Sequence, residues 1–141
     1  MKNKKSAVVL VFNSKGKLAL QLRSASDESY PSHWDFSAAG KIQKDEEPEF
    51  AAERELREEL GINATVQYID TKTYSESDVT DECYFYKAFH NGPFAPDHQE
   101  VEKARFFSLE EIQIMIDRGE KFHPEFPYFW DQEFIQYAYT S

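Results

Sequence analysis

The chain has 141 residues, 26 acidic against 16 basic side chains, a formal net charge of −10 and a single cysteine. That length suits one domain with a sizeable core, and the charge argues against duplex DNA or RNA as an electrostatic partner. Cys83 alone rules out an internal disulfide and fits a reducing cytoplasm. No run of about 18 apolar residues exists, so no membrane-spanning helix is expected. The apolar stretch 7–12, behind a basic N-terminus, is too short for a signal peptide.

In chain order, the Val-rich stretch 7–13 predicts a buried strand. A turn at 13–17 leads to the alternating strand 18–23 (LALQLR). A polar loop over 24–32 ends near Pro31, and a short strand over 34–38 feeds a loop at Gly40. A helix is predicted from Pro48, whose fixed φ suits a first helical position, to Gly61. Strands follow at 65–74, at 83–90 (CYFYKAFH) and at 104–107, with polar loops at 75–81 and 91–100. Ser108 and Glu111 form a capping box for a helix through Arg118. A C-terminal helix with an aromatic face is expected over 126–139. The order is mixed α and β, with no repeat and no linker.

The most informative segment is GKIQKDEEPEFAAERELREELGI, residues 40–62. On its helix Glu55, Glu58 and Glu59 lie three and four apart and share a side, while Ala52, Leu56 and Leu60 make an apolar stripe for a core. In open water such like-charge neighbours cost only about 0.2–0.5 kcal/mol per pair, so a solvated acidic face is one reading. In a cleft of effective dielectric near 20, two charges about 5 Å apart repel by roughly 3 kcal/mol. Three carboxylates there need a counter-charge, and hard oxygen ligands suit Mg²⁺, Mn²⁺ or Ca²⁺. Spacing leaves both readings open.

The full pattern is more specific. Gly40, Glu46, Arg54-Glu55-Leu56, Glu58-Glu59 and Gly61-Ile62 match every defined position of the Nudix box. The chain therefore resembles a Nudix hydrolase over about residues 6–118. The resemblance implies an α/β (α+β) fold, a Nudix-type α/β/α sandwich with a mixed β-sheet between helices, in one domain spanning 1–141. It also implies a Mg²⁺-dependent hydrolase, with Mn²⁺ as a substitute, cleaving the diphosphate linkage of a nucleoside diphosphate derivative or another small organic diphosphate. Carried over by position, Glu55, Glu58 and Glu59 are the metal carboxylates, and a backbone carbonyl at Ala39 or Gly40 completes the site. Arg54, paired with Glu46, orients them. The expected partner is a small-molecule diphosphate, with a homodimer as the default assembly.

A branch within that family is also indicated. Residues 11–18 (VFNSKGKL), Arg23-Ser-Ala, Pro31-Ser-His-Trp34 and Ser37-Ala-Ala-Gly40 resemble isopentenyl diphosphate isomerases. The isomerases' catalytic cysteine falls at Ala39 and their metal-binding histidine at Lys41, so the chain reads as an isomerase-like hydrolase. An isomerase and a non-catalytic nucleotide-binding module are the alternatives. Glu100, with Glu102 second, is the candidate general base; Glu58 is the other candidate. Glu82 matches an acidic isomerase residue near the metal, or is an ordinary strand-edge charge. Trp34, Arg23 and Lys41 are candidate substrate contacts, although Trp34 and Tyr30 equally suit core or rim. Cys83 reads as a small buried hydrophobe. The four histidines share no helical spacing, so no zinc site is expected.

Overall fold

The computed structural model describes residues 2–141. Strand β1 (Lys2–Phe12) begins earlier than its apolar run, because its charged first half pairs in parallel with β6 (Val79–Phe89) from Lys2↔Val79 to Phe12↔Phe89. Lys4 lies 3.7 Å from Asp81 and Lys5 3.9 Å from Glu82 across that ladder. Strand β2 (Leu18–Arg23) has the expected bounds and pairs antiparallel with β3 (Trp34–Asp35) and with β7 (Val101–Phe107). The strand β4 (Ala38–Lys41) runs antiparallel to β1, so Gly40 sits in a strand rather than in the expected loop. Strand β5 (Gln67–Glu76) closes the far edge on β6. The seven strands make one mixed sheet.

Alternation along β1 sorts the core into two layers. Ala7, Val9 and Val11 face helix α1 (Pro48–Glu55) and the π-helical turn that continues it (Leu56–Leu60), meeting Ala51, Ala52, Leu56 and Leu60. Val8, Leu10 and Phe12 face the opposite layer, built by α2 (Leu109–Asp117) and α3 (Glu125–Trp130). The result is the expected α/β/α sandwich. Gly61 ends the π-turn at φ +66°, a left-handed conformation that glycine adopts without steric cost. Its αL position fits the expected helix stop.

The capping box holds: Ser108 Oγ accepts the Glu111 N–H at 3.0 Å, and Glu111 accepts the Ser108 N–H at 2.8 Å. The C-terminal helix expected over 126–139 does not form as one piece. Helix α3 starts at Glu125 and stops at Trp130; turns follow, with Glu133 at φ +65°, and then a short 3₁₀ turn (Ile135–Tyr137). Breaking the helix lets Phe126, Phe129, Trp130 and Ile135 all reach the core, which one straight helical face would not allow. Buried Lys87 then donates to the Ala138 and Ser141 carbonyls.

Candidate active site in the acidic cleft

Arg54 organises the site. Its Nε and Nη2 donate to the two oxygens of Glu46 at 2.7 and 2.9 Å, a bidentate pair. Nη1 donates to Glu55 at 2.7 Å and Glu58 at 3.0 Å, and Nη2 to the Lys41 carbonyl at 3.1 Å. All five guanidinium N–H groups are thus engaged. The Arg54 hydrogen bonds hold the Glu46 carboxyl down at about 2, and Glu46 in turn raises the Arg54 pKa.

Glu55 and Glu59 are buried, each 7% exposed, whereas the Glu58 side chain stands half in solvent. Glu59 Oε1 accepts Gln21 Nε2 at 2.6 Å and the Ala39 N–H at 3.2 Å, which ties the π-turn to β2 and β4. Burial, and then the neighbouring Glu55, push the Glu59 carboxyl well above its ordinary value. Two carboxyls forced together out of water, with hard oxygens only, are a donor set that fits a divalent cation.

These groups line a cleft of about 290 Å³ with Arg23, Asp27, Asp35 and Glu100. Among the described residues, six that line it are acids and Arg23 is the one cation, already bonded to Asp35 at 3.0 Å and Asp27 at 3.1 Å. Partial burial, followed by Asp97, Glu55 and Glu58, raises the Glu100 carboxyl. A second cavity of about 140 Å³ adjoins the cleft and shares Arg23, Asp35, Ala39 and Gly40 with it. Beyond that wall lie Ser6, Asp81, His123 and Glu125.

The profile of the NUDIX domain matches residues 2–128, spanning the whole sheet and the cleft. The chain belongs to the Nudix family. A Nudix hydrolase of Listeria monocytogenes is 37% identical over 114 residues, 79% of this chain and 68% of its own. An isopentenyl-diphosphate Δ-isomerase of Photorhabdus laumondii is 30% identical over 119 residues, 79% of this chain and 68% of its own. In fold the chain is similar to the crystal structure of a MutT protein from Methanosarcina mazei. The TM-score is 0.82 at 20% identity, covering 99% of this chain and 97% of that one. As a Nudix pyrophosphohydrolase, the chain acts on a diphosphate-containing substrate.

This Nudix domain brings Glu55, Glu58, Glu59, Gly40, Glu100 and Arg23 to one cleft. Lys41 lines the adjoining cavity instead. Trp34 reaches neither; its ring packs edge-on against Phe107 at 5.3 Å, and its backbone pairs with the segment 121–123. Glu102 projects to solvent from β7 and does not line the cleft. Glu82 accepts the Tyr84 hydroxyl at 2.5 Å and lines neither cavity.

The acid that enters the second cavity is its neighbour Asp81, because adjacent strand residues point to opposite faces. Cys83 is buried as expected, but not among apolar groups alone: its Sγ lies 3.7 Å from Glu125 Oε1, and burial followed by Glu125 raises the thiol pKa. Among the described residues the histidines form no ligand cluster with one another. Gln21, Asp27, Asp35 and the Asp81–Glu125 pair escaped sequence reasoning. Only strand alternation, which puts Gln21 on the Ala19 face and Asp81 on the Cys83 face, carried a signal for them.

Proposed function

We propose that the protein is a Mg²⁺-dependent hydrolase that cleaves the diphosphate linkage of a nucleoside diphosphate derivative or a similar small organic diphosphate. The observation that carries this reading is the acidic cleft itself: six carboxyl groups face one already paired guanidinium. A bare diphosphate is repelled by such a surface. Glu55, Glu58 and Glu59 would hold a divalent cation, which would offset the phosphate charge and lower the pKa of a bound water.

The chain's own groups do the rest. Arg54 fixes the orientation of Glu55 and Glu58, and Gln21 with the Ala39 N–H fixes Glu59. Glu100, across the same cleft, takes the proton of the attacking water; its raised carboxyl makes it a stronger base than an ordinary glutamate. The water oxygen bonds to one phosphorus, the bridging P–O bond breaks, and two phosphate-ended products leave.

The isomerase relative makes prenyl diphosphate isomerisation the second reading. That chemistry needs a proton-carrying group where this chain has Ala39, and alanine carries none. A panel of nucleoside triphosphates, sugar nucleotides, dinucleotides and prenyl diphosphates with Mg²⁺ tests the choice. Release of phosphate-ended products that stops in excess chelator is expected. Turnover in chelator contradicts the cation dependence, and formation of the allylic isomer without phosphate release favours the isomerase.

A further inference from the structure

The second cavity contains chemistry that the hydrolytic step does not use. Its floor is the Asp81–Glu125 pair: residues 2% and 8% exposed, brought together with Cys83 so that their ligand atoms lie within 4.8 Å of one another. Asp81 Oδ1 accepts the Ser6 hydroxyl at 2.8 Å, and Lys4 Nζ stands 3.7 Å from its other oxygen. The Glu125 carboxyl takes the Cys83 thiol at 3.7 Å and a hydrogen bond shared with Asp81. Even with one proton shared between them, the two carboxyl groups hold more lone pairs than these contacts use, so the pair keeps acceptor capacity in the cavity it lines. His123 adds a donor. Its Nδ1 accepts the Glu125 N–H at 3.3 Å, leaving Nε2 to carry the proton of the neutral ring.

The position of these groups is fixed by the fold. The His123 N–H donates to the Trp34 carbonyl at 2.8 Å, and the Trp34 N–H to the Lys121 carbonyl at 2.9 Å, so β3 holds the segment that starts α3. The Ser6↔Cys83 register of β1 and β6 sets Ser6 beside Asp81. The cavity shares Ala39 and Gly40 with the diphosphate cleft on one side. On the other it shares Asp81, His123 and Glu125 with an outer groove of about 280 Å³ that includes Tyr30 and Tyr74. The three spaces thus adjoin in series across shared residues, from the acidic cleft past hydrogen-bonding groups to two aromatic rings.

We propose that this cavity holds the group carried on the diphosphate, and that Ser6, Asp81, His123 and Glu125 select a polyhydroxylated group, such as the sugar of a nucleoside or sugar nucleotide, over an apolar prenyl chain. The proposal rests on the diphosphate-hydrolase reading above. A prenyl chain in this cavity strips water from two buried carboxyl groups and returns no hydrogen bond, whereas sugar hydroxyls donate to both. A site built to hydrogen-bond a substrate rejects the analogue that lacks the donors.

The test measures kcat/KM with Mg²⁺ on ADP-ribose, UDP-glucose and isopentenyl diphosphate for the wild type, Glu125→Gln and Asp81→Asn. The wild type is expected to prefer the better sugar nucleotide by about 100-fold or more. Each variant is expected to lose about tenfold or more on that substrate through KM, with kcat nearly unchanged and the thermal melt retained. A preference for isopentenyl diphosphate, or a loss below tenfold, overturns the proposal. If Asp81→Asn unfolds through loss of its Ser6 and Lys4 contacts, Glu125→Gln alone decides.

Calorimetric binding of ADP-ribose separates the two levels of inference. A wild type that cleaves no diphosphate sinks the hydrolase reading. The cavity assignment still stands if Glu125→Gln then weakens ADP-ribose binding tenfold or more, and falls if binding is unchanged or absent.

Discussion

Gly40 and Glu55 occupy one space: a Cβ built on Gly40 falls inside the Glu55 carboxylate. The strand can therefore carry no side chain there while the helix keeps its buried acid. Gly40→Ala is expected to displace the Glu55 carboxylate, lower kcat by about 100-fold or more, and weaken Mg²⁺ binding while the fold survives. Steady-state kinetics with a Mg²⁺ titration by calorimetry checks it. Near-native values for both show that Glu55 has another place to go.

Arg54→Lys keeps the charge but loses the planar fork that meets Glu46, Glu55, Glu58 and the Lys41 carbonyl together. Activity is expected to drop by about 10- to 100-fold, as for loss of a group that orients metal ligands. The same assay on Glu53→Gln, a half-buried neighbour of Arg54 on α1 that lies outside the cleft lining, is the control.

Glu46 gives stability a defined pH window. Its folded value of about 2 lies below the ordinary 4.5, so its contribution is present above about 4.5 and disappears as pH falls towards 2. Glu46→Gln is expected to cost about 1–2 kcal/mol at pH 7 and progressively less below pH 4.5. Paired denaturant melts across that range read the difference, and a constant gap at every pH refutes the assignment.

Glu125 works in the opposite sense. Burial, then Asp81, raises its folded value to about 8, so the folded state keeps a proton that the unfolded chain releases. Stability is therefore expected to fall as pH rises from about 4.5 to about 8, the pair titrating jointly. Glu125→Gln removes that slope. Its melting temperature relative to the wild type should rise between pH 5 and 9, and a flat comparison counts against a shared proton.

Glu100→Gln is expected to lower kcat by about 10²- to 10⁴-fold, while Glu102→Gln, which faces solvent from β7, stays within about twofold. Unchanged turnover for Glu100→Gln removes it as the base.

Much of this arrangement was legible in the chain. The period of the acids and of Ala52, Leu56 and Leu60 placed a helix with one buried side, and Ser108 with Glu111 placed another with its cap. Strand β2 read off its alternation. What stayed hidden depends on long-range pairing. Lys2–Lys5 are strand because β6 lies alongside, a fact no local preference encodes. Gln21 matters because Glu59, 38 residues away, meets it. The Asp81–Glu125 pair joins a strand to a helix whose bounds the aromatic pattern at 126–139 misplaced, since that pattern served several core contacts rather than one face.

The single widened turn at Leu56–Leu60 makes the catalytic segment intolerant of length change. Each residue advances an ordinary helix by about 100°, so one insertion or deletion there swings every later side chain to a new bearing. Glu59 would leave Gln21 and the Ala39 amide, and Gly61 would quit its left-handed stop. Point replacements on the outer rim, at Arg57 for instance, leave that phase intact. The segment behaves as a ruler of fixed length whose marks, rather than its surface, set what it can hold.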